Sequence, residues 1–198
     1  MKILFGGSFD PFHLGHLAII KGVIEKFSPE KFIIVPSNAS MSKIKYTFPP
    51  DIRLKFIISS LSGLPPEISN SIEISEYELR QERPVYSYET IGELKPDALL
   101  LGGDHDYTKW KNYTEVIEPC IKLFLVYPRD GNPKNSRNKK EIILDLPGHS
   151  ISSMEIIERL YANEKIDQMV HHSIANELEQ FKLEGKLLCR TEKKNGNC

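Results

Sequence analysis

An α/β fold, with a doubly wound parallel sheet, helices on both faces and a small C-terminal helical extension, is predicted by three features of the sequence. Short apolar runs alternate along the chain with helical patterns, which is typical of parallel strands joined by right-handed crossovers. The run Phe32–Val35 is apolar at every position, as expected for a strand covered on both faces. A chain of 198 residues, 40% of them hydrophobic, is long enough to bury one such core.

Strands and helices are predicted in alternation from the first residues onward. Apolar runs, most of them bounded by Gly or Pro, predict strands at Ile3–Phe5, Phe32–Val35, Ser71–Ser75, Ala98–Leu101, Lys122–Tyr127 and Glu141–Leu144. Apolar residues that recur with the helical period predict helices at Leu14–Phe27, Asp51–Leu61, Tyr88–Leu94, Ser152–Tyr161 and Ser173–Leu183. We therefore expect a Rossmann-like arrangement in one domain, residues 1–190, followed by a solvated tail, residues 191–198.

The composition limits the partners that the protein can attract. A net charge of −1 produces no bulk field for nucleic acid or an anionic membrane, so any anion must be bound locally. Three cysteines placed far apart fit a reduced protein, and no apolar run approaches the roughly 20 residues of a membrane span. Only three apolar residues lie between Lys2 and Gly6, too few for a signal peptide. We expect a cytoplasmic protein without nucleic-acid or membrane partners, and the sequence leaves assembly into a homo-oligomer open.

Residues 6–16, with the sequence GGSFDPFHLGH, lie between the first predicted strand and the first predicted helix. Gly6 and Gly7 let the backbone turn sharply and approach a ligand. The helix start presents backbone N–H groups and the positive end of a dipole, which suit a phosphate. His13 and His16 are three residues apart, so they share a helix face and can point at one anion. The segment predicts a triphosphate site, and the alternative is that both histidines cap the helix or satisfy polar groups of the core.

Two further segments follow predicted strands at the same edge of the sheet. The loop from Ser37 to Lys45 follows the second strand, and Gly102-Gly103-Asp104 follows the strand Ala98–Leu101. Ligands of open α/β sheets bind off the carboxyl ends of the strands, where the strand order reverses. The three segments are therefore expected to meet at one site.

The segment at residues 6–16 resembles the signature of the nucleotidylyltransferases that carry a His-x-Gly-His motif, and among them the chain is similar to the bacterial nicotinate-nucleotide adenylyltransferases. The resemblance implies transfer of AMP from ATP to nicotinate mononucleotide, which forms deamido-NAD and pyrophosphate in NAD biosynthesis. It also implies Mg²⁺, held mainly by ATP phosphate oxygens and water. Nicotinamide mononucleotide, or another phosphate acceptor such as phosphopantetheine, is the alternative.

The same resemblance implies roles for the residues that match the family's motifs. The catalytic residues are expected to be His13, His16 and Lys43. The residues expected to bind ATP are Gly6, Gly7, Ser8, Phe9, His13, His16, Gly102, Asp104, Ser152 and Ser153. The residues expected to bind the pyridine mononucleotide are Lys43, Tyr86, Ser87, Thr90, Trp110 and Arg129. No residue is assigned as a metal ligand.

Several of these positions also have an interpretation that needs no ligand. Lys43 fits a solvated loop charge, and Asp104 fits a turn residue. Arg53, which matches an arginine of the family, fits a surface ion pair on a helix equally well. Ser87 fits a helix N-cap, and Trp110 fits ordinary core packing.

The segment from Ile151 to Ile157 departs from the family pattern that it resembles. The family sequence is Ile-Ser-Ser-Thr-x-Ile-Arg, in which a helix start and the arginine hold the ATP phosphates. Met154 stands in place of the threonine and Ile157 in place of the arginine. Arg159 comes two residues after Ile157, roughly 200° away around the helix axis, and is not expected to reach the same phosphates. Arg129 and Lys134 are the candidates to supply the positive charge of the missing arginine.

The departures leave a second hypothesis open. Ser152 and Glu155 fit a helix capping box, which needs no ligand. Met154 and Ile157 favour a nucleotide-binding relative with little or no transfer activity. His13 and the other matching residues favour the enzyme, and a pyrophosphate-release assay separates the two hypotheses.

Overall fold

A computed structural model of the protein describes residues 1–38, 46–102, 107–128, 136, 138–146 and 151–185. Within these ranges the strands are β1 (Lys2–Gly7), β2 (Lys31–Pro36), β3 (Ile72–Ile74), β4 (Ala98–Gly102), β5 (Leu123–Tyr127) and β6 (Glu141–Ile143). They form one parallel sheet in the order β3-β2-β1-β4-β5-β6. The predicted strands and the predicted parallel α/β fold are confirmed.

Helices alternate with the strands as far as β5, and two further helices follow β6, as predicted; additional short turns are present. They are α1 (Leu14–Phe27), α2 (Pro50–Leu61), α3 (Pro66–Ser69), α4 (Ser87–Leu94), α5 (Glu118–Cys120), α6 (Ser153–Tyr161) and α7 (His172–Leu183). A 3₁₀ turn, Tyr107–Lys109, and a π-helical turn, Tyr113–Ile117, precede α5. The sequence does not predict α3, α5 and the two turns, because such short segments show no periodicity. None of the described helices is long and apolar enough to cross a membrane.

Helices cover both faces of the sheet. In β1, Ile3 and Phe5 point to one face and Leu4 to the other, because successive residues of a strand alternate. The first face packs against α1, α2, α6 and α7. The second packs against α4 and the segment 107–121. This division is the doubly wound arrangement that the fully apolar strands predict.

The order of the strands reverses at β1, which lies between β2 and β4. At the carboxyl end of β1, Gly7 lies opposite Pro36 of β2, and the carbonyl of Gly7 accepts the N–H of Ser37 at 2.9 Å. The loop of residues 8–13 leads from β1 to α1, and the segments before α2 and α4 start from the same edge. The candidate segments of the described chain therefore meet at the edge where ligands of this fold bind.

Gly7 is required by the packing of an aromatic ring. A Cβ at Gly7 would lie 2.9 Å from Cζ and 3.1 Å from Cε1 of Phe9. A Cβ at Gly6 would meet only Leu4, at an ordinary 3.8 Å. The prediction that both glycines allow close approach to a ligand therefore needs an addition, because Gly7 also makes room for Phe9.

We expect Gly7→Ala to lower the free energy of unfolding by about 1–3 kcal/mol, since the buried Phe9 ring must shift to admit the new methyl group. Gly6→Ala is the matched control and should stay within about 0.5 kcal/mol of the native protein. Urea denaturation of both variants measures the difference. Equal stability of the two variants would contradict this explanation.

Candidate active site

An aromatic cluster determines the path of the loop that follows β1. Phe9 has a positive φ of 46°, unusual for a bulky residue, and its side chain is buried. Its ring packs edge-on against Phe5 and His16, with centroids 5.3 and 5.0 Å away, and lies 5.8 Å from Phe12. The buried ring offsets the cost of the strained backbone and leads the chain into α1.

His13 and His16 cap the N-terminus of α1 through reciprocal hydrogen bonds. The backbone N–H of His13 donates to Nδ1 of His16 at 3.2 Å, and the backbone N–H of His16 donates to Nδ1 of His13 at 3.3 Å. The two imidazole rings stack with centroids 3.6 Å apart, and both side chains are buried. The ring of Phe12 also stacks on His16, with centroids 5.2 Å apart. The two imidazoles thus lie side by side, as predicted, and they also cap the helix, which is the alternative interpretation.

The reciprocal cap determines which ring nitrogen carries the proton. Because Nδ1 of each imidazole accepts a backbone N–H, the proton of the neutral ring lies on Nε2. Each ring then has an N–H donor at Nε2. The backbone N–H groups at this helix start are largely used within the protein, since Leu14 donates to the carbonyl of Met169 at 2.9 Å. The imidazoles are therefore candidate donors to a phosphate at this helix start.

Asp10 attaches the loop after β1 to the segment before α2. Its carboxylate is fully buried and accepts the backbone N–H groups of Thr47 and Phe48, each at 2.9 Å. Carboxylate acceptors of this kind are strong because the charge assists each hydrogen bond. Asp10 thereby connects the chain that leaves β1 with the chain that leaves β2.

Arg53 of α2 reinforces the same attachment. Its Nη1 donates to the carbonyl of Ser8 at 2.6 Å, its Nε donates to the carbonyl of Phe48 at 3.2 Å, and the ring of Tyr46 lies 4.3 Å from its Cζ. The side chain is 0% exposed, and burial lowers the pKa of its guanidinium from the usual range. The interpretation of Arg53 as a surface ion pair is wrong, because both of its described hydrogen bonds go to backbone carbonyls.

The N-terminus of α6 lies against the loop that follows β1. The hydroxyl of Ser153 donates to the carbonyl of Pro11 at 2.9 Å. Ser152 is the N-cap, and its hydroxyl accepts the backbone N–H of Glu155 at 3.1 Å. The structure therefore brings the predicted ATP-binding serines beside residues 8–13, and both hydroxyls already have protein partners.

The two positions that depart from the family pattern differ in exposure. Met154 is 60% exposed on the first turn of α6, whereas Ile157 is buried in the core. Arg159 pairs with Glu155 at 3.1 Å and with Glu164 at 3.3 Å. Arg159 is thus engaged on the surface of α6, in agreement with the expectation that it does not replace the missing arginine.

The start of α4 positions the residues predicted to hold the mononucleotide. The N-cap is Tyr86, and Ser87 is the first helical residue, so the interpretation of Ser87 as the N-cap is wrong. The backbone N–H of Tyr86 donates to Oε1 of Glu89 at 3.0 Å. Thr90 is 3% exposed and its hydroxyl donates to Glu78 at 2.7 Å. Burial raises the pKa of Glu78, and this hydrogen bond opposes the shift.

Charged residues surround Tyr86. Arg83 forms two hydrogen bonds to Glu89, at 3.1 and 2.5 Å, and these bonds, with the one from the backbone N–H of Tyr86, lower the pKa of Glu89 to about 2. The ammonium of Lys111 lies 4.6 Å from the centroid of the Tyr86 ring. Tyr88 stacks on Tyr86 with centroids 5.6 Å apart. The aromatic surface predicted for the pyridine ring is therefore already covered in part by Tyr88 and Lys111.

Trp110 precedes Lys111 on a turn that is anchored in the core. Tyr107 is fully buried and stacks on Phe124 of β5 with centroids 4.5 Å apart. Trp110 is half-buried and meets Tyr107 edge-on at 6.4 Å. The packing role considered for Trp110 is present, and its exposed part lies on the turn that brings Lys111 to Tyr86.

The predicted site residues Lys43, Asp104 and Arg129 and the candidate replacement Lys134 lie outside the described residues, and so does the predicted tail at 191–198. Gly102 is described and ends β4 at the expected edge. Sequence reasoning did not assign roles to Arg83 and Lys111. Tyr86 is not one of the residues that mark a capping box, so the sequence does not signal the pairing of Glu89 with this helix start, and nothing in the sequence connects Lys111 with a ring 25 residues earlier.

Comparison with known proteins identifies relatives along most of the chain. The sequence model of the cytidylyltransferase-like family matches residues 4–159. A probable nicotinate-nucleotide adenylyltransferase of Clostridium tetani is 30% identical, with 92% of this chain and 98% of the relative covered. A protein of Aliarcobacter butzleri with the same description is 38% identical over 66% of this chain and 73% of its own length.

Solved structures share the fold. The nicotinic acid mononucleotide adenylyltransferase of Plasmodium falciparum complexed with NaAD has a TM-score of 0.71 and 19% identity, and the match covers 94% of this chain and 96% of that one. The same enzyme complexed with APC has a TM-score of 0.67 and 18% identity, with the same coverage. The overall arrangement of strands and helices is thus common to these proteins.

We expect Asp10→Asn to lower the free energy of unfolding by about 1–3 kcal/mol, because the new amide N–H₂ would face a buried backbone N–H and leave it without an acceptor. Asp51→Asn is the control, since Asp51 is exposed on the first turn of α2 and should cost at most about 1 kcal/mol. Urea denaturation of the two variants measures their free energies of unfolding. A cost at Asp10 no larger than at Asp51 would contradict the proposed attachment.

Proposed function

The chain belongs to the cytidylyltransferase-like family and, within it, to the nicotinate-nucleotide adenylyltransferases, and from this premise we propose that it transfers the adenylyl group of ATP to nicotinate mononucleotide. The products are deamido-NAD and pyrophosphate, so the reaction is a step of NAD biosynthesis. The Plasmodium relative is complexed with NaAD in one structure and with APC in another. These complexes support an adenine nucleotide and a pyridine nucleotide as the ligands of the shared fold.

The observation that carries the proposal is the stacked pair of imidazoles at the start of α1. His13 and His16 hold each other through Nδ1, so that each ring has its proton on Nε2. The pair lies after β1, where the order of the strands reverses. Donors that are already fixed need no rearrangement when negative charge develops on a phosphate.

The chemistry requires no general base, since the attacking mononucleotide phosphate is already an anion. Its oxygen attacks the α-phosphorus of ATP in line with the leaving pyrophosphate. The protein's task is then to align the two anions and to stabilise the charge of the transition state. We assign the charge stabilisation to Nε2–H of His13 and His16 and to Lys43, and the alignment of ATP to the segment Gly6–Phe9 and to the start of α6.

Mg²⁺ enters this scheme with ATP as part of the substrate. The described residues contain no group of three or more His, Cys, Asp or Glu side chains placed to hold a metal. Mg²⁺ commonly keeps several water ligands and binds phosphate oxygens of a nucleotide. We therefore propose that MgATP is the species bound, with its phosphates facing the start of α1.

A second candidate function is nucleotide binding without transfer. It is favoured by Met154 and Ile157, because neither side chain can supply the charge-assisted hydrogen bonds of an arginine to a phosphate. Arg159, engaged with Glu155 and Glu164, does not compensate. The two candidates make opposite predictions for pyrophosphate release.

We expect pyrophosphate release from ATP and Mg²⁺ in the presence of nicotinate mononucleotide, with less or none with nicotinamide mononucleotide and phosphopantetheine. His13→Asn and His16→Asn should each lower kcat by about 10²–10³-fold, the range for removing one fixed donor to a transition-state anion. Asparagine keeps an oxygen that can accept the capping N–H, so the helix start is preserved.

His172→Asn is the control, because His172 is exposed at the start of α7 and should retain full activity. Binding of ATP without pyrophosphate release, with all three acceptors, would favour the second candidate. Full activity of both His13→Asn and His16→Asn would refute the assignment of the imidazoles.

A further inference from the structure

Lys111 lies over the ring of Tyr86, the N-cap of α4, and both residues belong to segments that are fixed by other contacts. Its turn is anchored by Tyr107, which stacks on Phe124 of the sheet, and the backbone N–H of Trp110 donates to the carbonyl of Tyr107 at 3.1 Å. The backbone N–H of Tyr113 donates in turn to the carbonyl of Trp110 at 3.1 Å. The ammonium of Lys111 therefore starts from a fixed backbone position.

Tyr86, the partner of Lys111, is fixed as well. Its backbone N–H donates to the carboxylate of Glu89, and its carbonyl accepts the backbone N–H of Glu89 at 2.9 Å. Its ring stacks on Tyr88. Lys111 thus connects the turn after β4 with the start of α4, the two described segments that are expected to bind the pyridine mononucleotide.

The charge of Lys111 is not neutralised by a close partner among the described residues. Glu89, an acidic group that interacts electrostatically with Lys111, already accepts two hydrogen bonds from Arg83 and one from the backbone of Tyr86. Lys111 contributes only a minor electrostatic share to the lowered pKa of Glu89. Its contact with the Tyr86 ring is a cation–π contact at an exposed site, which is weak. An incoming anion can therefore draw the ammonium away at little cost.

We propose that Lys111 makes the enzyme prefer the acid over the amide form of the pyridine mononucleotide, an inference that rests on the proposed function. An ammonium has three donors and no acceptor, so it matches a carboxylate, which only accepts. A carboxamide is uncharged, and its N–H₂ group finds no acceptor on Lys111. The carboxylate therefore gains an electrostatic attraction that the amide lacks.

Fixed backbone N–H groups are the alternative source of such a preference. They would recognise the carboxylate without the side chain of Lys111, and substitution at this position would then leave the preference unchanged. Ionic strength separates the two cases further, because an exposed ammonium is screened by salt whereas buried donors are screened much less.

The test measures kcat/KM for nicotinate mononucleotide and for nicotinamide mononucleotide, and the Kd of each by calorimetry, in the full chain. We expect Lys111→Gln to lower the acid-to-amide ratio about two- to five-fold, as for loss of one exposed charge pair. Lys111→Arg should keep the ratio, and Lys111→Glu should lower it further. Lys109→Gln removes the same charge from the same turn and should leave the ratio unchanged.

The outcomes separate this proposal from the proposed function. Unchanged ratios in Lys111→Gln, or an equal loss in Lys109→Gln, would overturn the role of Lys111 while the enzyme stays active. Absence of turnover in the native protein would count against the proposed function, and the Kd ratios of the same variants would still decide the role of Lys111. Failure of the native protein to bind either mononucleotide would overturn both. A native acid preference that falls with added salt, and falls less in Lys111→Gln, supports the proposal.

Discussion

The reciprocal hydrogen bonds between His13 and His16 are the constraint on which the site depends. A helix start needs acceptors for its first N–H groups, and here the imidazoles supply them through Nδ1. The same bonds determine the tautomer of both rings and hold them in a stack. Capping and the proposed phosphate binding thus use different atoms of the same side chains. The requirement for a stable helix end therefore also orients the groups that are proposed to act on ATP.

The loop that carries this pair is held from three sides. Phe9 and its aromatic neighbours fix the chain from within the core, and the close fit of the Phe9 ring to Gly7 explains the second glycine of the motif. Asp10 and Arg53 attach the loop to the chain that leaves β2. Ser153 attaches it to α6. Fixed contacts of this kind suit a site whose proposed catalysis is alignment and charge stabilisation.

The fold could be predicted from the sequence because each strand is a fully or largely apolar run between turn signals. The site could be predicted only in part. Arg53 hydrogen-bonds to the backbone carbonyls of Ser8 and Phe48, and backbone acceptors leave no mark in the residue types. Lys111 meets Tyr86 through the tertiary packing of two separate turns. The capping role of the two histidines and their proposed role with phosphates could not be separated by spacing alone, since one geometry serves both.

The most direct test of this account is the tautomer of the two imidazoles, measured by ¹⁵N NMR of the histidine rings through long-range ¹H–¹⁵N couplings. At a pH where the rings are neutral, we expect both His13 and His16 to carry the proton on Nε2, with Nδ1 as acceptor. Addition of a non-hydrolysable ATP analogue with Mg²⁺ should shift both Nε2 resonances and leave those of His172 unchanged. A proton on Nδ1 of either ring, or Nε2 resonances that do not respond to the nucleotide, would contradict the proposed role of the two imidazoles.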